Sequence, residues 1–199
     1  MIKENCRVTL LNWRERLAPA CDLDICTLIE KCDADPSRHY VRDVVRAIVN
    51  VGLSNSEFAG MRFTDIDLEK DMVVVGRDQK VRARRLLPLR PTVRNALISL
   101  HERNPQSPFI LGNHPPYQFR MVIRNVKSLV SGLSRGRLTL HSLRMNFVYR
   151  LFSSGLPMSS VRYCLGWRSE FPLHDEPFLL STTKLEILRR DLESFLPEL

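Results

Sequence analysis

The sequence predicts an α+β fold that is mainly helical and carries one small antiparallel sheet. Several segments repeat apolar residues at the three- and four-residue spacing of an amphipathic helix, most clearly over residues 119–133. Three short runs rich in β-branched and aliphatic residues stand close together between residues 64 and 89. No internal repeat divides the 199 residues. We therefore expect one principal domain over residues 22–199, after a short N-terminal extension of residues 1–21.

The first third of the chain is predicted to be helical. A helix is expected over residues 22–32, and the 33–37 stretch with Pro36 ends it. Apolar residues at helical spacing predict a longer helix over residues 40–51, which Gly52 stops. A shorter helix is expected over residues 54–60.

The predicted sheet has three strands, over residues 64–68, 72–75 and 84–89. Residues 69–71 make the first turn and residues 76–82 the second. Pro91 suits the first position of a helix that runs to about Arg103. Four prolines predict a loop over residues 104–116.

Four further helices complete the prediction, over residues 119–133, 141–154, 157–165 and 183–196. Gly155 closes the second of them. Thr183 and Glu186 have the spacing of a capping box for the last one. An apolar stripe follows along that helix, formed by Leu185, Leu188, Leu192 and Phe195.

Composition favours an anionic polymer as the partner. The net charge is +8, and 24 of the 30 basic residues are arginine. A guanidinium can hold a phosphate through two parallel hydrogen bonds, which an ammonium cannot do. The plain alternative is a basic, solvated surface without a specific ligand.

Cysteines and hydropathy exclude several classes of protein. The five cysteines contain no CxxC pair, and no histidine lies at zinc-finger spacing from them, so we do not expect structural zinc. We expect no other metal and no cofactor. The odd cysteine count and the lack of a secretory signal predict a reduced, cytoplasmic protein. No apolar run approaches the ~20 residues of a membrane span.

His141 and Arg144 are the first candidate site residues. Three positions apart on a predicted helix, they lie on one face and can reach a single anion. Taken alone, the HxxR pattern is weak, since a histidine at a helix N-terminus followed by a surface arginine is common.

Other segments strengthen that interpretation through their order and spacing. Gly52-Leu53-Ser54-Asn55-Ser56-Glu57, followed by Met61-Arg62-Phe63-Thr64-Asp65-Ile66-Asp67, is similar to a Gly-Leu-Arg-x-Ser-Glu-Leu and Leu-Arg-Trp-x-Asp-Ile-Asp pair. The segments Leu140-His141-Ser142-Leu143-Arg144 and Leu165-Gly166-Trp167 follow in the same order. Residues from about 22 to 167 thus resemble the catalytic domain of tyrosine recombinases and phage integrases.

The resemblance implies a site that surrounds a DNA phosphate. The family uses two arginines, a histidine or tryptophan, a lysine that acts as general acid and a tyrosine that attacks the phosphate. Lys80, His141, Arg144 and Trp167 match four of these positions. Lys80 has a plain alternative as a solvated turn residue, and Trp167 as a packed aromatic.

Two positions of the family's pattern are not matched. Ser54 stands where the first arginine is expected, and Arg62 belongs to a different segment. No tyrosine follows Tyr163, although the nucleophile is expected about nine residues after Trp167. Phe178 or Glu186 occupies the tyrosine position, depending on the alignment.

Three hypotheses about function follow. The first is a protein that binds double-stranded DNA but does not cut it. The second is an active site-specific recombinase that receives its tyrosine from another subunit. The third is an interaction module that docks on a second copy or a partner recombinase through the 183–196 helix. The residues expected to contact DNA under the first are Arg77, Lys80, Arg82, Arg84, Arg85, His141, Arg144, Trp167 and Arg168.

Overall fold

The helices and strands follow the predicted order along the chain. The computed structural model describes residues 19–76, 84–113, 115–129, 138–167, 181–196 and 198–199. Within these ranges the helices are α1 (Asp22–Asp33), α2 (His39–Val51), α3 (Asn55–Ala59), α4 (Pro91–Glu102), α5 (Pro115–Leu129), α6 (Leu140–Ser153), α7 (Met158–Leu165) and α8 (Thr182–Phe195). The strands are β1 (Ile66–Asp67), β2 (Met72–Val75) and β3 (Arg85–Pro88), and Pro36–Arg38 and Phe63–Asp65 form 3₁₀ turns. The predicted fold class is confirmed.

Helix α2 is the centre of the helical core. Its valines and Ile48 are buried, and it packs against α1, α4, α5 and α6. Gly52 ends the helix in the left-handed conformation, with φ at 70°, and its amide donates to the Ile48 carbonyl. A side chain has no room at this position, because a Cβ on Gly52 would lie 2.1 Å from Cδ1 of Phe147 in α6.

The three strands form an antiparallel sheet in the order β1-β2-β3. Val73 is opposite Leu87, and Val75 is opposite Arg85. The first strand is shorter than the predicted 64–68 because residues 63–65 form the 3₁₀ turn. The Asp65 carboxylate accepts the Arg62 amide at 2.9 Å and holds that turn in place. Most of the predicted second turn, residues 77–82, lies outside the described residues.

One predicted helix start and one predicted helix cap were wrong. Helix α5 begins at Pro115, inside the predicted loop, because the first turn of a helix needs no amide donor and accepts proline. Helix α8 begins at Thr182, one residue earlier than predicted, and the side chain of its N-cap residue Ser181 makes no capping hydrogen bond. Thr183 and Glu186 therefore form no capping box.

The C-terminal segment packs on its own chain. Leu188 and Leu196 are buried, and Leu185 and Leu192 pack against the core. Arg90 donates to the Leu196 carbonyl oxygen, and Thr92 Oγ1 donates to Glu198 at 2.6 Å. Of the predicted apolar stripe, Phe195 is 55% exposed. Most of that stripe thus stabilises this chain itself.

None of the helices in the described ranges is both long enough and apolar enough to cross a membrane.

Candidate nucleic-acid interface

A buried carboxylate, Glu57 of α3, holds the candidate site together. Its Oε1 accepts from Arg85 Nη1 at 2.7 Å, and its Oε2 accepts from Arg144 Nη1 at 3.2 Å. The side chain of Glu57 is fully buried between these guanidinium groups. One carboxylate therefore links β3 to α6.

The charge of Glu57 is strongly stabilised. Burial alone would raise its pKa, but the Arg85 charge, the Arg85 hydrogen bond and those from Ser54 together lower the pKa to about 2. The carboxylate is accordingly ionised at neutral pH. It neutralises one of its two arginine partners.

Ser54 has a structural role at the position where the resemblance expects an arginine. Its side chain accepts the Glu57 amide at 3.3 Å, while Glu57 Oε2 accepts the Ser54 amide at 2.8 Å. This is the reciprocal capping box of a helix start. The Ser54 hydroxyl also donates to Glu57 Oε2 at 2.8 Å, so it adds to the stabilisation of the carboxylate.

His141 and Arg144 both lie near the N-terminus of α6, where Thr139 and Ser142 form a capping box. His141 is exposed, whereas Arg144 is 7% exposed and extends inward to Glu57. The pattern that suggested one shared face therefore combines an outer imidazole with a largely covered guanidinium.

Trp167 follows Gly166, which ends α7 in the left-handed conformation. The indole is 45% exposed and lies 5.8 Å from the ring of Phe152, which is itself 45% exposed. Trp167 is thus at the surface, beside another aromatic ring. The plain alternative of a packed core aromatic does not describe this position.

Tyr163 is the last tyrosine of the sequence, and its hydroxyl is committed to the sheet. The side chain is buried, and its oxygen donates to the Leu86 carbonyl at 2.9 Å and accepts the Leu86 amide at 3.1 Å. These bonds tie α7 to β3. The phenol is a structural group in this fold.

The hairpin arginines divide into different environments. Arg84 is exposed. Arg85 is fully buried, and its Nε donates to the Cys164 carbonyl at 2.8 Å. The sequence placed Arg85 on the DNA-facing surface, but the alternation of strand β3 turns it inward, where Glu57 balances its charge. The prediction of Arg85 as a surface residue is therefore corrected.

Several candidate residues lie outside the described residues, namely Arg77, Lys80, Arg82, Arg168 and Phe178. Glu186, the other residue proposed for the tyrosine position, is an exposed residue of α8. Across the described part of the chain, no cluster of histidine, cysteine or carboxylate side chains has the arrangement of a metal site.

The sequence did not identify Glu57 as the residue to which Ser54, Arg85 and Arg144 bond. A signal existed, because Ser54 and Glu57 have the three-residue spacing of a capping box. The burial of Arg85 had no such signal, since the neighbouring arginines in the sequence gave no indication of which one would face the interior.

Comparison with known families decides the relationship. A sequence model of the phage integrase family matches residues 23–170, which is most of the chain and includes Ser54, Glu57, Arg85, Arg144 and Trp167. The chain belongs to the phage integrase family. No curated protein sequence shows a significant match.

Solved structures of two integrases and a recombinase share the fold. The integrase of the Tn1549 transposon in complex with transposon right end DNA superposes with a TM-score of 0.64 at 17% identity, over 91% of this chain and 67% of that one. XerA recombinase gives a TM-score of 0.63 at 18% identity, over 92% of this chain and 66% of that one. The catalytic core of lambda integrase gives 0.57 at 14% identity, over 79% of this chain and 95% of that one. The chain therefore spans about two thirds of the length of the first two structures.

Proposed function

We propose that this phage integrase family member binds double-stranded DNA inside the cell and does not cleave the strands by itself. The observation that carries the proposal is the Ser54-Glu57-Arg85-Arg144 cluster. It keeps one arginine of the family's phosphate site, while a helix-capping serine stands in place of the other. The proposed site spans the N-terminus of α6, the surface around Trp167 and the exposed hairpin residue Arg84.

Charge and helix geometry support DNA as the partner. Glu57 neutralises one of its two arginine partners, so the three side chains together carry one net positive charge. Arg144 and His141 also lie in the first turns of α6, where the helix dipole favours an anion. From the resemblance to the family, a DNA phosphate is expected beside Arg144 and His141.

The tyrosines support the lack of cleavage. No tyrosine follows Tyr163 anywhere in the sequence, and the Tyr163 hydroxyl is bonded to both backbone groups of Leu86. Tyr149 is exposed on α6 but lies five residues after Arg144, about 140° further around the helix. Its phenol thus points away from the side on which Arg144 meets Glu57.

The proposal is tested by measuring duplex DNA affinity over a range of salt concentrations for the native chain and for Arg144→Ala. Each lost phosphate contact lowers the slope of log Kd against log salt by about 0.9. We expect Arg144→Ala to raise Kd about tenfold at low salt and to lower the slope by about one contact.

The matched control is Arg190→Ala, which removes the same charge from an exposed position of α8. It should leave the slope close to that of the native chain. An affinity that does not change with salt, or equal effects of the two substitutions, would contradict the proposed site.

A further inference from the structure

Arg85 and Arg144 share one carboxylate, but they do not share it equally. Arg85 Nη1 is 2.7 Å from Glu57 Oε1, whereas Arg144 Nη1 is 3.2 Å from Oε2. The side chain of Arg85 is 1% exposed and that of Glu57 is fully buried, while Arg144 keeps 8% of its side-chain surface in contact with solvent. The innermost ion pair is therefore Arg85 with Glu57, and Arg144 is the outer member.

Arg85 is held from two further directions. Its Nε donates to the Cys164 carbonyl at the end of α7. The neighbouring strand residue, Leu86, is fixed by the Tyr163 hydroxyl through both its amide and its carbonyl. Arg85 thus has a fixed place against Glu57, set by the backbone of α7 and by strand β3.

We infer that Arg85 is a positioning residue for Arg144: by balancing the charge of Glu57, it leaves the charge of Arg144 available to a DNA phosphate. This inference rests on the proposed DNA-binding function. A carboxylate buried without a counter-charge is very unfavourable, so Glu57 needs one arginine as its permanent partner. Without Arg85, that partner is Arg144, and the charge that should meet the phosphate is cancelled inside the protein.

The test is a set of variants in which the contribution of Arg144 is measured in several backgrounds. In each background, Kd for a DNA duplex is compared with and without Arg144→Ala. In the native background we expect about a tenfold rise in Kd. In the Arg85→Met background, Arg144→Ala should raise Kd less than about threefold. The slope of log Kd against log salt should already be lower by about 0.9 in Arg85→Met alone, because Arg144 then pairs with Glu57.

Removing the carboxylate as well should restore the site. In Arg85→Met/Glu57→Gln the buried charges of the Arg85-Glu57 pair are both absent, so Arg144 should again contribute about tenfold. Arg84→Met is the matched control, because Arg84 is the adjacent, exposed arginine. In that background Arg144→Ala should have its full native effect. An undiminished Arg144 effect in Arg85→Met would overturn the inference.

Should Arg85→Met not fold, Glu57→Gln supplies the decisive comparison. With the carboxylate gone, Arg85 has nothing to balance, so adding Arg85→Met to Glu57→Gln should leave the Arg144 effect unchanged. A fall in that effect would mean that Arg85 acts on DNA or on Arg144 directly, and the positioning role would be wrong.

A thermal-unfolding series without DNA separates this inference from the proposed function. In the native background, Arg144→Ala should lower Tm slightly, because Glu57 remains paired with Arg85. In Arg85→Met the same substitution should lower Tm much more, since it leaves Glu57 without either partner. If the native chain binds no DNA, the proposed function fails. If Arg144→Ala lowers Tm equally in the native chain and in Arg85→Met, the inference is wrong even if the native chain binds DNA.

Discussion

Glu57 determines how the charges of the site are distributed. Its carboxylate accepts from Arg85, Arg144 and Ser54, which come from three different segments of the chain. Burial would raise the pKa of Glu57, but the Arg85 charge and the hydrogen bonds from Arg85 and Ser54 lower it to about 2. A single buried residue therefore connects the stability of the fold to the state of the candidate site.

The low pKa of Glu57 predicts a stability that depends on acid. A carboxyl whose pKa is lower in the folded state stabilises the fold fully above its unfolded value, which is 4.5 here, and loses that contribution as the pH falls toward about 2. The loss should be about 3 kcal/mol. Urea unfolding of the native chain at steps between pH 5 and pH 2 measures it.

The comparison variant for this measurement is Arg85→Met/Glu57→Gln, which removes both charges of the buried pair. Its free energy of unfolding should fall less across the same pH range. Glu30→Gln, which changes an exposed carboxylate of α1, should retain the native pH dependence. A native chain with the same pH dependence as the double variant would show that Glu57 is not the source.

At the residue scale, the sequence predicted the helix that carries the candidate residues His141 and Arg144 but not their contacts. His141 and Arg144 were found from a three-residue spacing and lie in the predicted helix. That spacing determines which helix face a residue occupies, but not how deeply that face is buried, so the burial of Arg144 was not predicted. Arg85 was misplaced because β-strand alternation has no marker within a run of consecutive arginines.

At the scale of the elements, Gly52 joins the end of α2 to α6. It combines a φ of 70° with a close approach of the Phe147 ring. Both features favour glycine, and the second leaves no space for a Cβ. The contact sets the distance between the central helix and the helix that carries Arg144.

Gly52→Ala should therefore be strongly destabilising. Left-handed strain costs about 1 kcal/mol, and the clash with Phe147 should add about 1–3 kcal/mol more. Gly155→Ala is the matched control, because Gly155 has a φ of 78° but nothing within 4 Å of its Cβ position. Denaturant unfolding should show a much larger loss for Gly52→Ala, and similar losses would contradict the packing at this contact.

The elements themselves were largely predictable. Helix α2 has apolar residues at helical spacing and a glycine stop, and its predicted and observed bounds differ by one residue. Predictions at the helix ends were less accurate where two local patterns compete. Thr183 and Glu186 have the spacing of a capping box, but both lie inside a helix that starts at Thr182. Strand β1 was shorter than predicted because Asp65 bonds to the Arg62 amide and favours a turn.

At the scale of the whole molecule, the C-terminal segment closes the domain over the sheet and the start of α4. Leu188 is buried, and Asn50 Nδ2 of α2 donates to the Leu199 carbonyl at 2.9 Å. Arg189 also donates to backbone carbonyls in the turn before β2. These contacts account for the amphipathic pattern of α8 within one chain, which favours internal packing over docking on a neighbour.

The molecule as a whole combines the fold of the phage integrase family with the cluster around Glu57. Within it, Ser54 caps a helix and Tyr163 ties α7 to the sheet. Both residues thus have structural contacts of their own. Under the proposed function, such a molecule is expected to hold DNA without forming the phosphotyrosine bond on which strand exchange depends.

The most direct test incubates the native chain with a nicked duplex that traps covalent intermediates, at a concentration where a mobility shift shows that the DNA is bound. Denaturing electrophoresis then separates any protein-DNA adduct. The account predicts shifted DNA under native conditions and no adduct under denaturing ones. A covalent adduct formed by this chain alone would contradict it.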